Sequence, residues 1–391
     1  MRQCPRCSII ADDAVSYCPH DGTRLDDLPG PSPDEELVGQ EVGHYRVTAL
    51  LGSGGMGAVY LGIHPTIGSR VAIKVLHPEM ARDRGAVRRF FAEARAVNLI
   101  RHENIINILD LADLPDGRSY IVMEYLEGES LGARVRCRGP LEPADAILVM
   151  LALLAGLQAA HDHGVLHRDL KPDNVFLTGG GQIKLLDFGI AKLETLTGES
   201  SLTSTGAILG TPMYMSPEQA TGHTAEVDRR ADLYSAGVIL YEMLTGRVPF
   251  KADTLIQLVS KIALEPAPRV RDVRPGVSAE LEDVVMRALA KEPSARFQSA
   301  AEMAGALRHA LQPLEQQRGA APPPRLAAPP AGPGTPAALA ATALAPTPPP
   351  AAAAAGSSPP SPVVVPPTAP QFVPAVASPA GAPAEAPRPT A

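Results

Sequence analysis

Between residues 45 and 124, short runs rich in Val, Ile and Tyr alternate with glycine-bearing turns. Tyr45–Leu51, Ala58–Ile63, Arg70–Leu76 and Tyr120–Glu124 each have the length and composition of a strand. One helical segment, Ala86–Ile100, interrupts them. From Pro143 the period changes. Ile147, Leu151, Leu154, Leu157 and His161 recur at three- and four-residue spacing, which predicts an amphipathic helix. A second apolar run, Ala231–Thr245, stops at Gly246, and a third, Ala279–Lys291, stops before Pro293. A β-rich segment therefore precedes a longer helix-rich one, an α+β pattern with no repeat at a solenoid period.

The two ends differ from this middle. Residues 1–28 carry three of the four cysteines. Residues 29–44, opening PGPSPDEELVGQ, are Pro-rich and acidic and read as a linker. Residues 318–391 hold 22 of the 41 prolines and 24 alanines, with four charged residues in 74 positions. So few large apolar side chains do not offset the entropy of ordering, so the Ala/Pro-rich tail is expected to be disordered, with local polyproline II.

Charge and cysteine usage then exclude several classes. The net charge is −7, which argues against nucleic-acid binding, whose footprint is a basic face. No uninterrupted apolar stretch of about 18 residues predicts a membrane span. The N-terminal MRQCPRCSII lacks the apolar core of a secretory signal. Four cysteines in 391 residues do not make a disulfide scaffold, so the expected compartment is the cytoplasm.

Gly52-Ser53-Gly54-Gly55-Met56-Gly57 is a G-x-G-x-x-G. A dinucleotide fingerprint would open a helix. Here the glycines open the strand-like AVYLG, so the loop is a hairpin tip, where backbone N–H groups can close over phosphate oxygens. The next strand reads Val71-Ala72-Ile73-Lys74, and an ammonium there can neutralise phosphate. Such an ammonium needs a carboxylate partner, and Glu93 in RRFFAEARAVNLI is the candidate.

His167-Arg168-Asp169-Leu170-Lys171-Pro172-Asp173-Asn174 follows the amphipathic helix, and Asp187-Phe188-Gly189 follows the β-type run IKLL. Phosphoryl transfer needs a carboxylate to take the hydroxyl proton and oxygen ligands for Mg²⁺. Asp169 suits the first task, Asn174 and Asp187 the second. Lys171 can stabilise charge on the transferring group.

Taken in order and spacing, these motifs resemble those of a eukaryotic-type (Hanks-type) protein kinase of the Ser/Thr class, in the style of the bacterial members. The resemblance covers residues 45–311 and implies a two-lobed fold, with a β-rich small lobe (45–123) and a helical large lobe (127–311). It implies ATP, Mg²⁺ or Mn²⁺, and protein substrates bearing Ser or Thr. It also implies signal transduction, autophosphorylation, and a homodimer for transfer in trans. Leu51, Gly52, Ser53, Gly54, Gly55, Met56, Gly57, Ala58, Val59, Ala72, Lys74, Glu124, Leu126 and Phe176 are implied to line the nucleotide site, with Met123 as gatekeeper. Asp232, Glu218 (in MSPE, where the family usually has APE) and Arg296 resemble bracing residues. Thr211 resembles the threonine that seats the substrate hydroxyl. Arg168 implies activation by a phosphate on the segment 190–215, and Thr203 and Thr205 are the expected acceptors.

Cys4-Pro-Arg-Cys7 and Cys18-Pro-His20-Asp21 have the spacing of a zinc-ribbon-like unit. The fourth Zn²⁺ ligand is His20 by chemistry or Asp21 by register. So small a unit needs a metal as its staple. Cys137 is isolated and read as structural.

Overall fold

The computed structural model describes residues 2–4, 10–11, 15–20, 22, 26–27, 36–188, 212–222 and 226–318. At the N-terminus, three two-residue strands, β1 (Arg2–Gln3), β2 (Ile10–Ala11) and β3 (Asp26–Asp27), pair antiparallel in the order β2-β1-β3.

The small lobe is one antiparallel sheet. Its strands are β4 (Glu41–Val42), β5 (Tyr45–Ser53), β6 (Gly57–Ile63), β7 (Arg70–Leu76), β8 (Ile108–Asp113) and β9 (Ser119–Glu124), in the order β4-β5-β6-β7-β9-β8. Helix α1 (Pro78–Arg82) leads into α2 (Arg84–Leu99), whose N-terminus is capped by the Asp83 carboxylate accepting from the Gly85 N–H. Phe90 and Ala94 of α2 pack on Leu76 and Ile121, which fixes α2 against the sheet.

Residues 36–44, expected to be linker, belong to this lobe. Leu37 and Val42 are buried with Val47 and Tyr120, and Glu41 and Val42 pair with Arg46 and Tyr45. Burial of two apolar side chains outweighs the acidic, Pro-rich composition around them. The pattern also missed β8, whose Ile-Leu-Asp-Leu-Ala-Asp mixes Asp into a half-exposed strand at the sheet's edge.

The large lobe opens with β10 (Gly128–Ser130), α3 (Leu131–Arg138) and α4 (Pro143–Asp162). Strands β11 (Val175–Thr178) and β12 (Ile183–Leu185) complete a small sheet in the order β10-β11-β12. Then come α5 (Pro217–Ala220), α6 (Arg229–Thr245), α7 (Leu255–Leu264), α8 (Val270–Val273), α9 (Ala279–Ala288) and α10 (Ala300–Arg318).

Helix α4 is long and apolar enough to cross a membrane by composition. Here it is the central helix, with Ile147, Met150, Leu153 and Leu157 fully buried and α6 and α10 packed against it. Helix α6 is buried almost all round, and Gly246 ends it in a left-handed conformation at φ +74°. Helix α10 continues past residue 311, where the tail was expected to begin, because Leu311 and Leu314 still face the core. The rest of the expected tail, 319–391, lies outside the described residues.

Candidate functional site

The β5–β6 hairpin carries the glycine loop. The Gly54 N–H donates to the Gly57 carbonyl at 3.0 Å, and the His77 N–H donates to the Met56 carbonyl at 3.1 Å. The His77 ring Nε2 donates to the Gly54 carbonyl at 2.8 Å. Residues 51–55 are exposed, Met56 is half-buried, and Gly57 and Ala58 are buried. A Cβ at Gly57 would run into the backbone carbonyl of Val75, whereas one at Gly52 would meet nothing within 4 Å. Strand pairing then builds one face. Val59 lies opposite Lys74, and Ala72 opposite Met123, so these four side chains share the surface below the loop.

Lys74 departs from the expected pairing. Its Nζ lies 2.7 Å from Asp187 Oδ1, and among the described residues it makes no ion pair with Glu93. Glu93 is half-buried on α2. Loss of hydration pushes its carboxyl up to about 8, the Lys74 ammonium opposes this, and the Asp187 and Asp169 carboxylates add to it. Burial thus favours the protonated form of Glu93, and the Lys74 ammonium sits on Asp187 instead. Loss of hydration also pushes Asp187 up, but Lys74 more than offsets it and holds the group below the usual carboxylate range. For Lys74, burial works downward, and Asp187, with Glu93 and Asp169 behind it, outweighs that, so its pKa is raised.

Residues 167–174 lie close together around Asp169. Lys171 Nζ donates to Asp169 Oδ2 at 3.3 Å. The Asn174 side-chain amide donates to the Asp169 carbonyl at 2.9 Å, leaving Asn174 Oδ1 as an acceptor. Asp232, on α6, accepts from the His167 and Arg168 N–H groups at 2.9 and 2.8 Å and from His161 Nε2 at 2.8 Å. Burial pushes the Asp232 carboxyl up, and these bonds and the histidines outweigh it, so it is lowered overall. His167 is fully buried, which lowers its pKa; its Nε2–H donates to the Leu186 carbonyl at 3.0 Å and its ring lies 4.6 Å from that of Phe188.

At the end of β9, Glu124 Oε1 accepts from Lys184 Nζ at 2.6 Å and from the Asn107 N–H at 2.8 Å. Lys184 was not anticipated, although it sits in the same β-type run as the Asp187 motif. Leu126 and Phe176 are half-buried, and Phe176 lies opposite Ser130 and Lys184 in the small sheet.

Arg296 is fully buried and uses all five of its donors. It makes a bidentate pair with Glu218 (2.8 Å each) and bonds to the carbonyls of Ala290, Lys291 and Arg230. This fastens α5, which begins just past the activation segment, to the large lobe.

In the N-terminal unit, Cys4 and Cys18 are buried side by side. Cys137, expected to be isolated, packs against them from α3. His20 Nδ1 is buried without a hydrogen-bond partner. Among the described residues, no group of three His, Cys, Asp or Glu stands ready to hold a metal ion. Cys7, Asp21, Gly189, Thr203, Thr205 and Thr211 lie outside the described residues.

Known proteins bear on this geometry. Serine/threonine-protein kinase Pkn1 of Myxococcus xanthus is 49% identical over 281 residues, which is 71% of this chain and 40% of that protein. PrkC of Bacillus subtilis is 36% identical over 268 residues, 68% of this chain and again 40% of the relative. The chain thus spans less than half the length of these relatives. The crystal structure of the Mycobacterium tuberculosis PknI kinase domain superposes with a TM-score of 0.55 at 32% identity, covering 70% of this chain and 98% of that one. The family model described as the protein kinase domain matches residues 45–310, more than half of the chain, so the chain belongs to the protein kinase family.

Proposed function

We propose that this chain is a serine/threonine protein kinase, transferring the γ-phosphoryl group of ATP to Ser and Thr hydroxyls of proteins and to its own activation segment. The observation that carries the reading is the convergence of two polar clusters, Lys74 with Asp187 and Asp169 with Lys171 and Asn174, close enough for the Asp169 charge to act on Lys74. Asp169 accepts the proton of the attacking hydroxyl. Lys171, already beside it, offsets the negative charge that gathers on the transferring group. Lys74 holds the phosphates beneath the glycine loop, and Glu124 to Leu126 meet the base at the hinge. Asn174 Oδ1 and the Asp187 carboxylate are hard oxygen donors, which suit Mg²⁺. These two residues would hold the ion, which would supply neutralising positive charge at the phosphates.

The test is incubation of the full chain with ATP and Mg²⁺, followed by phosphosite mapping. Phosphate is expected on Thr203 or Thr205, where it would pair with Arg168 and order the segment through charge-assisted bonds. Phosphate found only on tyrosine would overturn the Ser/Thr assignment. Unchanged activity in the double variant Thr203→Ala/Thr205→Ala would remove this mode of activation.

The N-terminal unit is read as a zinc site built on Cys4, Cys7 and Cys18, with His20 or Asp21 as the fourth ligand. Its support is the buried Cys4–Cys18 pair and the His20 Nδ1 that is buried without a hydrogen-bond partner. About one zinc per chain is expected by metal analysis of freshly purified protein, and loss of that zinc in Cys4→Ser/Cys7→Ser. Metal-free protein purified without chelator would count decisively against it.

A further inference from the structure

Arg168 stands immediately before Asp169, so its backbone sets where that carboxylate points. It is a non-glycine residue in left-handed backbone, at φ +62°, a strained conformation that persists only where its surroundings hold it. Both of its peptide groups are held. On the N-terminal side, its N–H donates to Asp232 Oδ1 at 2.8 Å. On the C-terminal side, its carbonyl accepts from Gln219 Nε2 at 3.0 Å. Asp232 comes from α6 and Gln219 from α5.

Gln219 has a second attachment. Its Oε1 accepts from the Ser216 N–H at 3.1 Å and from Ser216 Oγ at 3.2 Å, and its own N–H donates back to Ser216 Oγ, which closes a capping box at the start of α5. A capping box accepts Glu as readily as Gln at this position. A bond to the Arg168 carbonyl does not, because an ionised carboxylate has no proton to donate. The residue present is the one that satisfies both partners.

We propose that Gln219 is a positioning residue for phosphoryl transfer. It clamps the Arg168 carbonyl so that the left-handed residue is gripped from both flanks and Asp169 is presented in its working orientation. The same amide ties that orientation to the seating of α5. When α5 is unseated, the clamp opens on one side and the carboxylate loses its fixed aim. This rests on reading Asp169 as the proton acceptor.

The test is Gln219→Glu in the full chain, which keeps the shape and the capping oxygen but replaces the donor by a charged acceptor, with Gln219→Met beside it to remove the donor without adding charge. The Asp169→Asn chain serves as the protein substrate, and single-turnover transfer from ATP is measured. The transfer rate is expected to fall about 3- to 10-fold, the scale of one lost hydrogen bond, with KM for ATP and the thermal unfolding midpoint unchanged. A wild-type transfer rate would overturn the proposal, and so would a rate loss that tracks a loss of thermal stability. The Asp169→Asn chain assayed as the enzyme separates the two readings: if it transfers as fast as the wild type, the assignment of Asp169 fails, whatever Gln219→Glu does.

Discussion

Asp169→Asn should lower phosphoryl transfer by about 10²- to 10⁴-fold, the range typical of a lost general base, with little change in unfolding temperature. The asparagine is nearly isosteric, and the backbone around position 169 is held independently of its side chain. The Asp169 N–H donates to the His167 carbonyl at 2.8 Å, and its carbonyl accepts from Asn174. On the proposed reading, what is lost is the group that takes the hydroxyl proton, together with the charge facing Lys171. Lys74→Met should be comparably inactive for a different reason, since it removes the phosphate-binding charge and leaves the Asp187 carboxylate without its ammonium. A radiolabelled-ATP assay with circular dichroism on the same samples decides this. Transfer within threefold of wild type in both variants would sink the assignment of the site.

The largest effect on stability is expected from Arg296→Met. The guanidinium is fully buried and Glu218 nearly so, and the pair is bidentate. Truncation strands a buried carboxylate and removes the donors to three backbone carbonyls, and breaking a buried pair from one side typically costs about 3–5 kcal/mol. Arg296→Lys should recover little, because an ammonium offers no planar fork to span both Glu218 oxygens and reach the carbonyls as well. Urea unfolding of the full chain measures it. A loss below about 1 kcal/mol for Arg296→Met would mean that the pair contributes little to stability. Activity should fall with stability here, since Glu218 adjoins Gln219 on α5.

The parts of the site that follow from local order were legible in the chain. The glycine hairpin, Lys74 on its strand, and the order of Asp169, Asn174 and Asp187 all rest on spacing within short segments. The Gly246 stop was equally local. What escaped depends on choices between distant partners. Two carboxylates lie near Lys74, both stripped of water on folding, and tertiary placement brings Asp187 rather than Glu93 to hydrogen-bond distance. Gln219 reaches Arg168 across 51 positions, and nothing in SPEQ announces that reach. Cys137 meets Cys4 and Cys18 through tertiary packing alone. Composition alone makes residues 36–44 a linker, whereas two apolar side chains in them, Leu37 and Val42, find room to be buried against the sheet.

The glycines of the phosphate loop answer to different constraints. Gly57 is excluded from substitution by the Val75 carbonyl, whatever the protein does, while Gly52 has open space around it. A library of loop variants sorted only for folded protein would therefore retain Gly57 and let position 52 drift. The same library sorted for phosphoryl transfer would hold both. The difference between the two surviving populations would separate, position by position, what the hairpin requires to exist from what a nucleotide requires in order to approach it.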